Sequence, residues 1–193
     1  MNDSLRTRLI DVGVDLVTAE GVHALTLREI ARRAGVSHGA PRRYFPTHRE
    51  LLSAIARRGF TELAARGARA IEETGPGGTA GPRERITALG HVYLDFALAN
   101  RGMHELMFRH DLLESGTLGL REASLPVFAL LVELVGQARP DADARLVAGS
   151  LFANLYGIAQ LWTWGSLQLA TGADDFAPLL RTALDAHLGP EER

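Results

Sequence analysis

Two short helical patterns separated by a single glycine constrain the fold more than any other feature of the chain. Thr26 and Glu29 have the Thr-x-x-Glu spacing of a capping box, which predicts a helix over residues 27–34. Gly35 interrupts that helix, and Ser37 is a candidate cap for a second helix that ends at residue 44 or 45. Two short helices joined by a glycine turn indicate a helix-turn-helix unit.

Helical periodicity continues along the rest of the chain, and no alternating strand pattern of useful length is present. The glycine- and proline-rich stretch 75–82 cannot form a helix interior and is predicted as a loop. Pro126 falls inside a helical pattern and is expected to kink or restart that helix. The predicted fold class is therefore all-α, with further helices over residues 4–20, 47–73, 83–100, 102–110, 118–139, 141–169 and 174–188.

The composition excludes several classes of protein. Hydrophobic residues make up 46% of the 193 residues, which favours a folded core over disorder. The chain has no cysteine, and this excludes disulfides, thiolate metal sites and a cysteine nucleophile. No apolar run reaches the roughly 18 residues that span a bilayer, and no secretory signal is visible. We therefore expect a cytoplasmic protein.

The charge is distributed unevenly, although the net charge of the chain is only −2. Residues 1–60 hold ten arginines and six acids and carry a net charge of +4, whereas residues 61–193 carry −6. All 21 basic residues are arginine, for which GC-rich coding is a sufficient explanation. A basic head on an acidic body predicts that the head alone binds a polyanion.

The second helix of the pair is expected to present His38, Gly39, Arg42 and Arg43 outward. In a helix-turn-helix unit the second helix lies in the major groove of DNA, where arginine can bond guanine or phosphate. A solvated basic surface is the alternative interpretation of these residues.

The same segment carries a longer pattern, formed by residues 26–37, Gly39 and Ala40, Tyr44, Phe45 and Pro46, and Glu50, Leu51 and Leu52. With this pattern the chain resembles the tetracycline-repressor (TetR) family over about residues 5–58. The resemblance implies an all-helical homodimer, with three N-terminal helices that bind DNA and a C-terminal domain that binds a ligand and dimerises. We accordingly expect a DNA-binding domain over residues 1–47 and a ligand-binding and dimerisation domain over residues 48–193.

Three positions depart from the family pattern. Pro41 and Arg42 stand where the family usually has an apolar residue and then a tyrosine that commonly touches a phosphate, a contact that Arg42 could replace. His48 stands where the family usually has a phosphate-contacting lysine, so Arg49 is the expected charge donor. The predicted DNA-binding residues are Thr26, Arg28, Ser37, His38, Gly39, Arg42, Arg43, Tyr44, Thr47, His48 and Arg49.

The second half of the chain is rich in apolar and aromatic residues, which form either an ordinary helical core or a pocket for a hydrophobic or aromatic ligand. Asn154 is expected near the core, where a ligand could satisfy its amide. The predicted ligand-binding residues are His91, Phe96, Met103, Met107, Phe108, Phe152, Asn154, Tyr156 and Trp162.

These features together predict a sequence-specific transcriptional regulator: a homodimeric repressor that a small hydrophobic ligand releases from a palindromic operator. The dimer is expected to form through the last two long helices. No nucleophile with a base and no pair of histidines at metal-binding spacing is found, so we expect neither an enzyme nor a metal or cofactor site. A ligand-binding protein with a vestigial DNA head and an activator with the same fold remain alternatives.

Overall fold

The computed structural model describes residues 2–75, 77, 79–115 and 117–190, with side chains from Ser4 onward. Every regular element in these ranges is helical, which confirms the all-α prediction. The α-helices are α1 (Asn2–Glu20), α2 (Leu27–Arg33), α3 (His48–Thr74), α4 (Pro82–Ala99), α5 (Arg101–Met107), α6 (His110–Ser115), α7 (Leu120–Ala138), α8 (Ala144–Thr163), α9 (Ser166–Thr171) and α10 (Ala177–Leu188).

Two of the helix caps read from the sequence, Thr26 and Thr47, are present, whereas the predicted cap Ser37 is not: the 3₁₀ turn Pro41–Arg43 follows Ala40 without a side-chain cap. The Thr26 hydroxyl oxygen accepts a hydrogen bond of 3.1 Å from the backbone N–H of Glu29 at the start of α2. At the start of α3, Thr47 accepts one of 3.2 Å from the N–H of Glu50. Each cap satisfies one of the backbone donors that a helix start leaves without a partner, and this fixes where the two helices begin.

The second helix of the predicted pair is shorter than expected and is not α-helical. Pro41–Arg43 form a single 3₁₀ turn. The N–H of Ala40 donates to the Ser37 carbonyl at 2.9 Å, and the N–H of Tyr44 donates to the Pro41 carbonyl at 3.0 Å. Proline has no N–H, so Pro41 cannot donate to the Ser37 carbonyl four residues back, and the N–H of Ala40 bonds that carbonyl instead. The N–H of Phe45 also donates to the Pro41 carbonyl at 2.8 Å, a single α-type bond that closes the segment.

The helix predicted over residues 141–169 is shorter at both ends. α8 begins after Asp143, whose carboxylate accepts from the backbone N–H groups of Arg145 at 3.0 Å and Leu146 at 3.1 Å. It ends before Gly165, whose φ of 76° is left-handed and stops the helix, and α9 follows as a separate short helix.

Other boundaries also differ from the sequence prediction. The helix predicted over 102–110 is divided between α5 and α6, and the one predicted to begin at residue 118 begins at Leu120, after a turn in which Leu118 has a φ of 55°. α7 continues through Pro126 as one helix, so the predicted restart is not found. The predicted loop 75–82 lies between α3 and α4, and its residues Pro76 and Gly78 fall outside the described ranges.

The first compact unit comprises residues 1–62 and 100–125. Within it, α1 packs against both α2 and α5. Burial of a large apolar side chain contributes about 1.5–3 kcal/mol, so this core can hold the short α2 in place. Its fully buried side chains include Leu9, Leu16, Ile30, Phe45, Leu51, Ile55, Leu106 and Met107.

The second compact unit comprises residues 63–99 and 126–193. α4, α8 and α10 pack against one another in it. Arg83 bonds both the Asp185 carboxylate and the Gly189 carbonyl, and Arg139 donates to the His187 carbonyl at 2.8 Å, so two arginines hold the end of α10. The buried side chains include Ile86, Leu94, Phe96, Val135, Leu151, Leu155, Leu180 and Leu184.

The compact units do not follow the predicted division at residues 47 and 48. α3 contributes its first part to one unit and its remainder to the other, and residues 100–125 join the first unit. The predicted boundary separates a DNA-binding function from a ligand-binding and dimerisation function, and not one packed core from another. It stays a prediction.

His104 is a polar side chain in the core of the first unit. It is only 2% exposed, and its ring lies 4.9 Å from the ring of Phe108, centroid to centroid. Burial lowers the pKa of His104 from 6.5 to about 4, because the charged imidazolium loses its hydration. The native protein therefore keeps this histidine neutral.

We predict that His104 makes the protein less stable in mild acid. The unfolded chain takes up the proton near pH 6.5 and the folded chain only near pH 4, so this contribution is complete above pH 6.5 and is lost as the pH falls towards 4. The loss amounts to about 3 kcal/mol at pH 4. Urea unfolding of the wild type and of His104→Leu across this range should give free energies whose difference changes by that amount. Parallel pH profiles would contradict the prediction.

Candidate nucleic-acid interface

Two buried side chains anchor the segment that follows the glycine turn. Pro41 is buried, and Phe45 is fully buried with the Arg6 guanidinium 5.2 Å from its ring centroid. Between these two anchors Arg42 and Arg43 are exposed. Because proline and phenylalanine occupy the inner side of the 3₁₀ turn, the two arginines are presented to solvent.

The turn before this segment depends on a glycine conformation. Gly35 has a φ of 64°, in the left-handed region that glycine adopts without cost. The next residue closes the turn, since the N–H of Val36 donates to the Ala31 carbonyl at 3.0 Å. His38 and Gly39 are exposed just beyond it, and a side chain at Gly39 would meet nothing within 4 Å.

Acidic residues neutralise the arginines at the end of α2. Glu29 pairs with Arg32 at 2.6 Å and with Arg33 at 2.7 Å, and Arg33 also pairs with Glu20. Hydrogen bonds from Arg32 and then Arg33 lower the pKa of Glu29 to about 2. The Glu29 side chain is thus committed to these two arginines, and their charges have internal partners.

Arg28, Arg42 and Arg43 have no such partners. All three are exposed, and among the described residues no carboxylate lies within ion-pair distance of them. An unpaired guanidinium keeps its full charge and its five N–H donors for a binding partner. The start of α2 and the 3₁₀ turn therefore each present positive charge that no acidic side chain of the described residues offsets.

The start of α3 offers hydroxyl and guanidinium donors. The Thr47 oxygen accepts the cap bond, so its own O–H is available to donate. Arg49 is exposed. The pKa of Asp111 is lowered mainly by a hydrogen bond from Arg109 and, to a smaller extent, by the nearby charge of Arg49. Its charge is therefore partly offset by an acid.

His48 has a structural bond that the sequence did not reveal. The N–H at its Nε2 donates to the Leu25 carbonyl, which links the start of α3 to the loop before α2. A backbone carbonyl leaves no mark in a residue pattern, so no sequence signal pointed to this contact.

The structure exposes nearly all the predicted DNA-binding residues on the first unit. Tyr44 is the exception, since it is half-buried and makes contacts inside the protein. DNA contact by these residues stays a prediction, and the exposed ones are Thr26, Arg28, Ser37, His38, Gly39, Arg42, Arg43, Thr47, His48 and Arg49.

In the second unit, four aromatic rings from α4, α7 and α8 form a chain. Phe152 is its centre, with ring centroids 5.9 Å from Tyr93, 6.4 Å from Phe128 and 6.3 Å from Tyr156. Phe152 and Tyr156 were predicted for the ligand site, whereas Tyr93 and Phe128 were not. Burial, and to a smaller extent the nearby Tyr156, raises the pKa of Tyr93, so the Tyr93 hydroxyl stays protonated.

A second aromatic group brings together two other predicted residues. The Phe176 ring lies 5.9 Å from His91 and 6.3 Å from Trp162. Phe176 was missed because it precedes α10 in a polar loop, where the sequence gives no periodic pattern. The nearby Gln168 donates to the Trp162 carbonyl at 3.0 Å, while its own amide oxygen is buried without a partner among the described residues.

The remaining predicted ligand residues lie elsewhere. Asn154 was placed near the core, but it is exposed and its amide nitrogen lies 2.6 Å from His187 Nε2. The buried face of α8 carries Ala148, Leu151, Leu155 and Ala159, and residue 154 lies beside that face rather than on it.

Met103, Met107 and Phe108 belong to the first unit, not to the unit that holds the aromatic chain. Both methionines are buried, and the Phe108 ring packs edge-on against Phe60 at 5.6 Å. Phe96, in the second unit, is fully buried beneath the Arg66 guanidinium. These contacts are those of core residues.

The described residues contain no group of three or more histidines, aspartates or glutamates that could hold a metal ion. None of the helices described is long and apolar enough to cross a membrane.

Comparison with known proteins matches both parts of the chain to one family. Residues 9–55 match "Bacterial regulatory proteins, tetR family", and residues 86–186 match "Tetracyclin repressor-like, C-terminal domain". A solved structure of a protein of unknown function from Rhodococcus sp. RHA1 is 32% identical, covers 95% of this chain and 93% of its own, and superposes with a TM-score of 0.79.

Two more distant relatives carry functional names. The HTH-type transcriptional activator FasR of Mycolicibacterium smegmatis is 25% identical over 93% of this chain and 87% of its own length. The multidrug binding protein EbrR, solved with imidazole, shares the fold at a TM-score of 0.62, with 23% identity over 97% of this chain and 96% of its own. The chain belongs to the TetR family of DNA-binding transcriptional regulators.

Proposed function

We propose that this protein is a homodimeric regulator whose first unit binds an operator through Arg28, Arg42 and Arg43. The observation that carries the proposal is the division of the arginines: Arg32 and Arg33 are neutralised by glutamates, while these three are exposed and unpaired. Such a regulator acts on chromosomal DNA, and we accordingly place it in the cytoplasm.

The arginines and the helix caps have different tasks in this proposal. Arg42 and Arg43, on the 3₁₀ turn, read base edges in the major groove, where a bidentate bond to guanine discriminates by about 1–3 kcal/mol. Arg28 and the hydroxyls of Thr26 and Thr47 bind phosphates and fix the register of the protein on the duplex. Specificity therefore comes from the turn and orientation from the two helix starts.

We predict that Arg42→Ala or Arg43→Ala weakens binding to an operator selected from random duplexes by roughly 1–3 kcal/mol, because each removes a base contact. Arg32→Ala is the matched control, since Arg32 is also exposed but paired with Glu29, and it should change the affinity by less than about threefold. Gel-shift titration at fixed salt measures all three variants.

Equal losses in the three variants would show that only the overall charge matters. If the wild type bound no duplex more tightly than a neutral protein, the alternative of a vestigial DNA head would be supported instead.

For the effector, we propose a small hydrophobic or aromatic molecule bound in the second unit beside Tyr93, Phe152 and Tyr156. The aromatic rings supply the apolar contact area that such a molecule needs. α3 contributes to both compact units, so a ligand that favours one arrangement of α3 would change operator affinity.

We expect the dye anilinonaphthalene sulfonate, an aromatic apolar probe, to bind saturably to the folded wild type. Phe152→Ala should lower its affinity at least fivefold, because Phe152 is the centre of the ring chain. Phe108→Ala, an aromatic truncation in the other unit, is the control. Fluorescence titration, with circular dichroism to confirm folding, distinguishes a pocket from nonspecific adsorption, which would weaken in neither variant.

We propose repression with ligand release as the mode of regulation. The relative FasR is named as an activator, and activation is therefore the second candidate. A reporter gene behind the selected operator separates the two, since deletion of the regulator raises expression under repression and lowers it under activation.

A further inference from the structure

α3 and α4 leave a groove between them on the surface of the second unit. Its volume is about 230 Å³, below the roughly 300–1,000 Å³ of pockets that hold drug-sized ligands. A molecule that fills this groove is therefore small. The lining residues all belong to the second unit and are Arg66, Arg69, Ala70, Glu73, Val92 and Asp95.

The inner side of the groove is fixed by packing between the two helices. Phe96 of α4 is fully buried, and the Arg66 guanidinium lies 5.4 Å from the centroid of its ring. Gly67 lets α4 approach α3 closely, since a side-chain carbon added there would lie only 2.9 Å from Leu89 Cδ2. The groove is thus formed before any ligand arrives, and binding in it requires little ordering of the protein.

Three charged side chains of the groove have no partner in the protein. Arg69 and Glu73 on α3 and Asp95 on α4 are exposed, and none of them forms an ion pair with any described residue. Arg69 and Glu73 are four residues apart, but an i, i+4 pair is less favourable when the basic residue comes first. Both signs of charge are therefore available to a ligand.

These charges determine which class of molecule the groove accepts. Two arginines and two carboxylates line it, so a phosphate dianion would face the carboxylates and a metal cation would face the guanidiniums. A zwitterion has a partner for each of its charges, because a guanidinium binds a carboxylate through parallel N–H donors and a carboxylate accepts from an ammonium. Ala70 and Val92, both half-buried, offer contact to aliphatic carbons.

The ammonium of such a zwitterion is expected to be primary rather than quaternary. Quaternary ammonium groups are recognised on the faces of aromatic rings. None of the residues that line the groove is aromatic, and the ring of Phe96 is buried beneath Arg66. A primary ammonium instead uses its three N–H donors, for which Glu73 and Asp95 supply acceptors.

We propose that this groove binds a small zwitterion with a primary ammonium and a carboxylate, which is the chemistry of a free amino acid with an aliphatic side chain. Arg69 binds the carboxylate of the ligand, and Glu73 and Asp95 bind its ammonium. The groove shares no residue with the aromatic effector site beside Tyr93, Phe152 and Tyr156. The inference therefore goes beyond the proposed function and does not depend on it.

The test uses L-leucine as the probe and saturation-transfer difference NMR, which detects weak binding. Exposed charges form weak individual pairs, so we expect saturable binding in the millimolar range. Isocaproate matches leucine without its ammonium, and isoamylamine matches it without its carboxylate. Each should bind at least fivefold more weakly than leucine, because each leaves one sign of charge in the groove without a partner.

Two isosteric variants locate the site. Arg69→Gln and Asp95→Asn each remove one charge, on different helices, and each should weaken leucine binding at least fivefold. Arg181→Gln is the matched control, because Arg181 is an exposed arginine of the same unit that lies outside the groove, and it should leave leucine binding unchanged. Circular dichroism confirms that the variants are folded.

The outcomes separate this inference from the proposed function. Saturable leucine binding that both groove variants weaken supports the inference. Absence of saturable binding, equal binding of isocaproate, or full binding by either groove variant overturns it, while titration with anilinonaphthalene sulfonate tests the effector site independently. Leucine should not displace that dye, and displacement would assign the amino acid to the aromatic site and contradict the inference.

Discussion

Burial of Pro41 and Phe45 is the constraint on which the interface of the first unit depends. The two side chains lie on the inner side of a 3₁₀ turn, and the residues between them have only the outer side available. Arg42 and Arg43 are therefore exposed by the packing of their neighbours. Proline also removes the N–H that an α-helix would use here, so the same residue shapes the turn and anchors it.

The ion pairs of α2 complement this arrangement. Glu29 bonds both Arg32 and Arg33, and Glu20 reaches Arg33 from the end of α1. These pairs cancel the charges of Arg32 and Arg33 and leave those of Arg28, Arg42 and Arg43 uncompensated. A surface pair of this kind contributes little to stability, about 0–1 kcal/mol, so its main consequence is where the uncompensated charge lies.

Local patterns predicted the local structure well. The caps at Thr26 and Thr47 and the glycine turn at Gly35 each depend on one or two residues, and all were found. Predictions failed where a long-range contact or a missing donor decided the outcome. Pro41 converted an expected α-helix into a 3₁₀ turn, and Asn154, which lies beside the buried face of α8, is exposed and bonded to His187.

For the candidate sites, too, local features could be predicted from the sequence, whereas individual side-chain contacts could not. Exposure of the predicted DNA-binding residues could be read from the helix-turn-helix pattern, but the pairing of Arg32 and Arg33 and the bond from His48 to the Leu25 carbonyl could not. From the sequence alone, an aromatic residue that packs in a core cannot be distinguished from one that lines a pocket. The sequence therefore grouped Met103, Met107 and Phe108 with Phe152, although they pack in different units.

The central claim is that three unpaired arginines of the first unit bind DNA, and the salt dependence of binding tests it most directly. Each neutralised phosphate contributes about 0.9 to the slope of log affinity against log salt concentration. Replacing Arg28, Arg42 and Arg43 together by glutamine should lower the magnitude of the slope by about 0.9, the contribution of the phosphate-binding Arg28. Loss of the two base contacts should in addition lower the affinity at every salt concentration. The same replacement of Arg69, Arg145 and Arg181, three exposed arginines of the second unit, should leave the slope unchanged. Equal slopes for the wild type and the first triple variant would contradict the account.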